Sequence, residues 1–222
     1  MSLLPQAIVY IDGFNLYRRA LSGHNEYKWL DLVALSRNLL PDFDVKKIHL
    51  FTSHIKPGAF SDPRRVSRQQ IYFRALATQS PLLTITLGKF RADARWMAKL
   101  PLEINPESGF YQMVKVRKIE EKGSDVNLAI RMVADAFEKS CDISIVLTND
   151  SDQSGPLAML KNELLHDTGI IFPVPDNRSS KSLTKTNPNI QRFITEELLL
   201  NSQLPEKLKD SIGTIVRPKE WR

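Results

Sequence analysis

Apolar positions along the chain change period several times, and each change marks an element. Ala7-Ile8-Val9-Tyr10-Ile11 is an unbroken apolar run stopped by Asp12-Gly13, which predicts a buried strand ending at Asp12. Trp29 to Leu40 spaces Leu32, Leu35 and Leu39 as a helix does. Val45 to Ser53 reads as a second strand, and Pro63 to Thr78 as a second helix opened by Ser61-Asp62-Pro63. Leu82 to Leu87 is a third strand. Beyond Ser124, the residues Val126, Ala129, Ile130, Val133 and Phe137 mark one helical face. Ile143 to Leu147 then reads as a strand, Leu157 to Leu165 as a helix and Ile170 to Val174 as a strand. Strands alternating with helices need crossover connections, so the pattern predicts an α/β fold with a doubly wound, mainly parallel sheet and helices on both faces.

Two stretches break this rhythm. Phe90 to Gln112 contains Pro101, Asn105-Pro106 and Ser108-Gly109, so it reads as an irregular excursion leading into a strand or hairpin arm at Met113 to Ile119. Asp176 to Pro188 is polar and rich in Ser and Lys, which predicts a mobile loop, followed by a helix from Ile190 to Leu200. The expected organisation is one main domain over residues 1–190, with a C-terminal helix and basic tail over 191–222.

Composition narrows the class. With 42% hydrophobic and 25% charged residues the chain has the balance of a packed globular protein, not of a disordered or fibrous one. Its net charge of +6 favours an anionic partner, because surface Lys and Arg gain entropy by releasing counterions condensed on a polyanion. Cys141 is the only cysteine, so no disulfide within these residues and no multi-cysteine metal site can form, and a reducing compartment is expected. No apolar run reaches the roughly 18 residues that cross a bilayer, so no membrane association and a cytoplasmic location are expected.

The chemistry suggested by the pattern lies in carboxylates. Open parallel sheets bind ligands beyond the carboxyl ends of their strands. Asp12 ends the first strand, Asp150 and Asp152 follow Ile143 to Leu147, and Asp125 lies in the first turn of the helix opened by Lys122-Gly123-Ser124. Singly, each acid has a structural role as a turn former or helix cap. Together they need protons or cations, because two carboxylates about 4 Å apart repel by about 4 kcal/mol at an effective dielectric near 20. A hard divalent ion such as Mg²⁺ or Mn²⁺ meets that need and can activate a water for attack on a phosphodiester. The chain has no G-x-S-x-G elbow, phosphate-binding P-loop, G-x-G-x-x-G or H-E-x-x-H motif, and His24, His49, His54 and His166 are scattered.

Ile11-Asp12-Gly13-Phe14-Asn15-Leu16-Tyr17 resembles the opening motif of the NYN domain (LabA-like branch) of the PIN-like nucleases. Lys122-Gly123-Ser124-Asp125 resembles that family's K-G-x-D helix entry, and Thr148-Asn149-Asp150-Ser151-Asp152 its second acidic turn. The resemblance spans about residues 6–175. It implies a PIN-like doubly wound domain and divalent-metal-dependent cleavage of RNA. Asp12, Asp125, Asp150 and Asp152 would act as catalytic and metal-binding acids, and Asn15 would support the first of them. The family commonly has Gly before the second turn's first acid and Phe after its last, where this chain has Asn149 and Gln153.

A route for phosphate is expected from Arg64, Arg65 and Arg68 on the second helix, from Arg91, and from Lys115, Arg117 and Lys122 leading towards Asp125. Tyr17, Trp29, Tyr72 and Trp96 are divided between base-stacking and packing roles. The sequence thus predicts an endoribonuclease, with RNA as partner, DNA also open, and homo-oligomerisation open. The alternatives are a catalytically weak RNA-binding or regulatory module of the same fold, and a phosphatase or nucleotidase using the same acids.

Overall fold

The computed structural model of the chain describes residues 4–79 and 81–222. Its strands are β1 (Gln6–Asp12), β2 (Asp44–Thr52), β3 (Leu83–Leu87), β4 (Lys89–Ala98), β5 (Met113–Lys122), β6 (Ile143–Leu147), β7 (Asp167–Phe172), β8 (Ile190–Phe193), β9 (Lys207–Lys209) and β10 (Thr214–Val216). Its helices are α1 (Gly13–Leu16), α2 (Leu32–Leu39), α3 (Arg64–Gln79), α4 (Ser124–Phe137), α5 (Ser154–Asn162), α6 (Lys181–Thr184) and α7 (Glu196–Asn201). Six strands form one sheet in the order β3-β2-β1-β6-β7-β8, with every neighbouring pair parallel.

The central strands read as continuous apolar runs because both of their faces are covered. Along β1, Ala7, Val9 and Ile11 pack with the core that includes α2, α3 and α7, while Ile8 and Tyr10 pack with the core that includes α4, α5 and α6. The α/β, doubly wound layout expected from the apolar periods is what the chain adopts.

Local expectations need correction in four places. On α4, Val126, Ile130 and Phe137 are 60%, 63% and 76% exposed, and the buried stripe is instead Ser124, Leu128, Met132, Asp135 and Ala136. The helix carries two stripes, and the buried one includes an acid because that acid has partners. Asp135 accepts from the Tyr10 hydroxyl at 2.9 Å, pairs with Arg131, and lies 3.7 Å from Nε2 of His49. Burial holds His49 down to about pKa 4, so its ring is neutral near pH 7 while its Nδ1 meets Thr84 Oγ1 at 2.9 Å.

Second, the excursion after Phe90 begins as strand β4, which pairs antiparallel with β5 along ten positions to form a separate two-stranded arm. Beyond the paired positions Leu100 and Phe110 are largely exposed. Third, Asp176 to Pro188 is ordered by α6, whose Leu183 is completely buried, and by the cleft contacts described below. Fourth, Ile190 to Phe193 is a strand on the edge of the main sheet, and the helix starts only at Glu196.

The residues expected to form a tail are built into the same packed unit. Leu204 N–H donates to the Trp29 carbonyl, Asp31 N–H to the Ser202 carbonyl, and Trp29 Nε1 to the Pro205 carbonyl. Arg74 holds Asp210 through two hydrogen bonds of 2.9 Å, and the Trp221 ring lies against Trp29 and Tyr72. Among the described residues no helix is long and apolar enough to cross a membrane.

Candidate functional site

From β1 the chain winds outward through β2 to β3, then returns to the centre and winds the other way through β6, β7 and β8. The loops that follow β1 and β6 therefore leave in opposite directions and open a crevice at the carboxyl edge, the position where such sheets bind ligands. Asp12 is the last residue of β1, and Asn149 and Asp150 follow β6 closely.

Asp12 is 3% exposed. One of its carboxylate oxygens accepts from the Asn15 N–H at 2.9 Å, capping α1, and the other accepts from the Thr148 hydroxyl at 2.9 Å. Thr148 Oγ1 in turn accepts from the Asp150 N–H at 3.0 Å, and Asn15 Oδ1 accepts from the Asn149 N–H at 3.0 Å. The two loops are thereby laced together through side chains, which fixes Asp12 and Asp150 relative to one another. Asp150 also caps the turn Ser151–Gln153 by accepting from the Asp152 N–H at 3.1 Å.

Asn149 and Gln153, the two departures from the NYN pattern, both make specific contacts. Asn149 Oδ1 accepts from the Ser180 N–H at 2.8 Å and its Nδ2 donates to the Arg178 carbonyl, tying the turn to the segment before α6. Gln153 is 2% exposed and its Nε2 donates to the Asp125 carbonyl at 3.4 Å, tying the same turn to α4.

The electrostatics follow from this burial. Removal from water pushes the Asp12 carboxyl up to about 6, against the two hydrogen bonds it accepts, and the charges of Asp125 and Asp150 add to the rise. Asp125 is raised as well, by its own burial first and then by Asp150, Glu121 and Asp152. Arg18 and Arg19 lie in a π-helical turn (Tyr17–Leu21) that continues α1, on the same cleft as Asp150. With Asn15, Asn149, Asp150 and Ser151 they line a cleft of about 480 Å³. Arg18 and Arg19 were absent from the sequence reading, and Thr148 entered it only as the first residue of the second acidic turn, with no role of its own. The two arginines could have been found from their position just after the Asp12-Gly13 motif.

Among the described residues no three acid, His or Cys side chains stand together as a group that could hold a metal ion. Asp12, Asp125, Asp150 and Asp152 share a rim without converging as a ligand set, so they do not fit a bare ion. Mg²⁺ or Mn²⁺ here would have to keep most of its own waters.

The basic residues do not form one tract. Arg64 meets Glu220 at 3.0 Å, and Arg68 meets Asp62 at 2.5 Å and Glu220 at 3.5 Å, which accounts for their crowding on α3. Arg65 lies over the Phe60 ring, and Lys122 is 3.7 Å from Glu120. Lys115 and Arg117 are out on the arm, and Arg91 lines a different cleft. Trp29 and Tyr72 are packing residues, whereas Trp96 is 64% exposed.

Gly13 leaves no room for a side chain: a Cβ there would fall 2.9 Å from the Phe51 carbonyl oxygen and 3.0 Å from Leu50 Cδ1. Gly13→Ala is expected to destabilise the fold by about 1–3 kcal/mol as α1 is displaced from β2. Chemical denaturation checks this, and an unchanged midpoint would show that α1 can shift freely.

No family model matches the chain. The chain is 28% identical to the 6-hydroxy-3-succinoylpyridine 3-monooxygenase HspA of Pseudomonas putida, over 96% of this chain and 74% of that enzyme. It also resembles the crystal structure of a protein of unknown function from Vibrio parahaemolyticus, with a TM-score of 0.50 and 12% identity over 89% of this chain and 97% of that one, a likeness of fold alone. The first of these overturns the ribonuclease expectation. Carboxylates clustered at a sheet edge serve proton transfer as readily as metal-assisted hydrolysis, and a fold of this kind hosts many chemistries. Along nearly its whole length, the chain is similar to an enzyme of the oxidoreductase class.

Proposed function

We propose that this protein is a monooxygenase-type oxidoreductase acting on a small hydroxylated nitrogen heteroaromatic compound, with the acidic cleft between β1 and β6 as its reaction centre. The observation that carries the reading is the similarity to a pyridine monooxygenase along 96% of the chain. The cleft offers chemistry that suits it. A ring hydroxyl becomes a stronger electron donor when it loses its proton, and Asp12, with its carboxyl pushed up to about 6, is matched to accept that proton near neutral pH. Arg18 and Arg19 supply positive charge against the oxyanion so formed.

In the reaction, one atom of O₂ is placed as a hydroxyl group on the ring carbon opposite the existing hydroxyl, and the other leaves as water. Where that carbon carries hydrogen, two protons and two electrons from a reduced nicotinamide or flavin balance the step; where it carries an acyl chain, the chain leaves as an aldehyde and a second pair of protons and electrons is needed. Asp12, Asn15, Thr148 and Asp150 position the proton transfer, and a Mg²⁺ or Mn²⁺ ion is proposed only as a hydrated counterion to the surrounding acids.

The test is incubation under ¹⁸O₂ with 6-hydroxy-3-succinoylpyridine and a panel of hydroxypyridine carboxylates, each with reduced nicotinamide or flavin. One ¹⁸O atom in the ring product is expected. Absence of label across the whole panel, with folded protein, would overturn the assignment.

A further inference from the structure

A second cleft, of about 470 Å³, opens on the same edge of the sheet, between the segment that follows β2, the first turns of α3 and the start of β4. Ile55, Pro57, Val66 and Phe90 give it apolar walls, and His54 and Gln70 line it as well. Its rim carries Lys56, Lys89 and Arg91, the last two sharing one face of β4 because they are two residues apart. No acidic side chain lines it. Among the described residues these three cations form no ion pair, whereas Arg64, Arg68, Arg95, Lys118 and Lys122 all do. An apolar slot ringed by unneutralised cations suits a flat apolar body joined to an anionic group, because the slot removes the body from water while the cations receive the charge.

The cleft is also placed to serve the acidic one. Its Gly88 is fixed to β2 by an N–H donated to the Thr52 carbonyl at 2.7 Å, and it abuts the entry to α4, where a Cβ would run into the Glu121 carboxylate and fall 2.8 Å from the Lys122 carbonyl oxygen and 3.0 Å from the Ser124 nitrogen. Asp125 is the next residue after Ser124. From these placements we infer that the cleft formed by Ile55, Val66, Phe90, Lys56, Lys89 and Arg91 is the subsite that holds the carboxylate-bearing side chain of an aromatic substrate. The inference rests on the monooxygenase reading for the word substrate, but the binding it asserts does not depend on turnover.

The probe is 3-benzoylpropionate, an arene with a succinoyl chain, titrated by calorimetry into the full chain, with its neutral amide for comparison. The carboxylate is expected to bind at least about ten-fold more tightly than the amide, and Lys89→Gln/Arg91→Gln is expected to remove that preference. Lys115→Gln on the arm should leave it intact. Both substituted positions are exposed, and an unchanged thermal midpoint verifies that the variant is folded. Equal binding of acid and amide, no binding at millimolar concentration, or an undiminished preference in the double variant would each overturn the subsite. Charge-selective binding that Lys89 and Arg91 control, in a protein that fails the ¹⁸O₂ test, would uphold the subsite and remove the oxygenase reading. Oxygen transfer with a KM unchanged in the double variant would do the reverse.

Discussion

Asp12→Asn is expected to lower kcat by about 10²–10⁴-fold while making the protein more stable at neutral pH. The two effects have one origin. In the unfolded chain Asp12 titrates near 3.8, and in the fold near 6, so between those pH values the folded state holds the extra proton. Stability therefore falls as pH rises through that window and levels off above it. Removing the ionisable group should relieve about 2–3 kcal/mol of this penalty, less about 1 kcal/mol for a hydrogen bond the amide cannot accept. The expected net gain of about 1–2 kcal/mol at pH 8 should vanish near pH 4, as denaturation curves at the two pH values would reveal. The wild-type rate should rise with pH with a midpoint near 6. A variant that loses stability at pH 8 and retains turnover would identify Asp12 as an ordinary helix cap.

Trp29→Ala is expected to cost about 3–5 kcal/mol, a large share of the stability of a domain this size. Trp29 is fully buried, its indole N–H is satisfied by the Pro205 carbonyl, and its ring contacts Tyr72 and Trp221. Its loss would open a cavity where the chain's first third meets its last segment. The thermal midpoint should drop by roughly 6–20 °C, taking about 2–4 °C per kcal/mol. A drop of under about 3 °C would mean that the C-terminal segment closes over the gap.

The central fold was legible because strands covered on both faces leave apolar runs, unbroken from Ile8 to Ile11 and interrupted only by the buried Ser144 from Ile143 to Leu147. What misled the reading were residues whose polarity is cancelled by a distant partner. Asp135 marks α4's inner face only because Tyr10 and Arg131 meet it, and Leu183 anchors a segment whose sequence is otherwise loop-like. Ile190 to Phe193 is too short for periodicity to separate strand from helix, and only the open edge of β7 decides it. At the site, the acids were visible from the residues that end strands and open helices, and Asn15 only through the resemblance of Ile11 to Tyr17 to the NYN motif. Their chemistry was not, since the same carboxylates serve different reactions and their separation depends on hydrogen bonds from Thr148 and Asn149 that no local pattern announces.

The pairing of β1 with β6 also sets when the protein can begin to work. Ala7 must wait for Ile143, and Ile11 for Leu147, so β1 stays without one of its two neighbours until about two-thirds of the 222 residues have been synthesised. Until then an apolar strand with an open edge is present on the ribosome, in search of any partner. Slowing synthesis beyond Leu147 gives that central pairing time to form, whereas slowing it before Ile143 prolongs the interval in which the strand can aggregate.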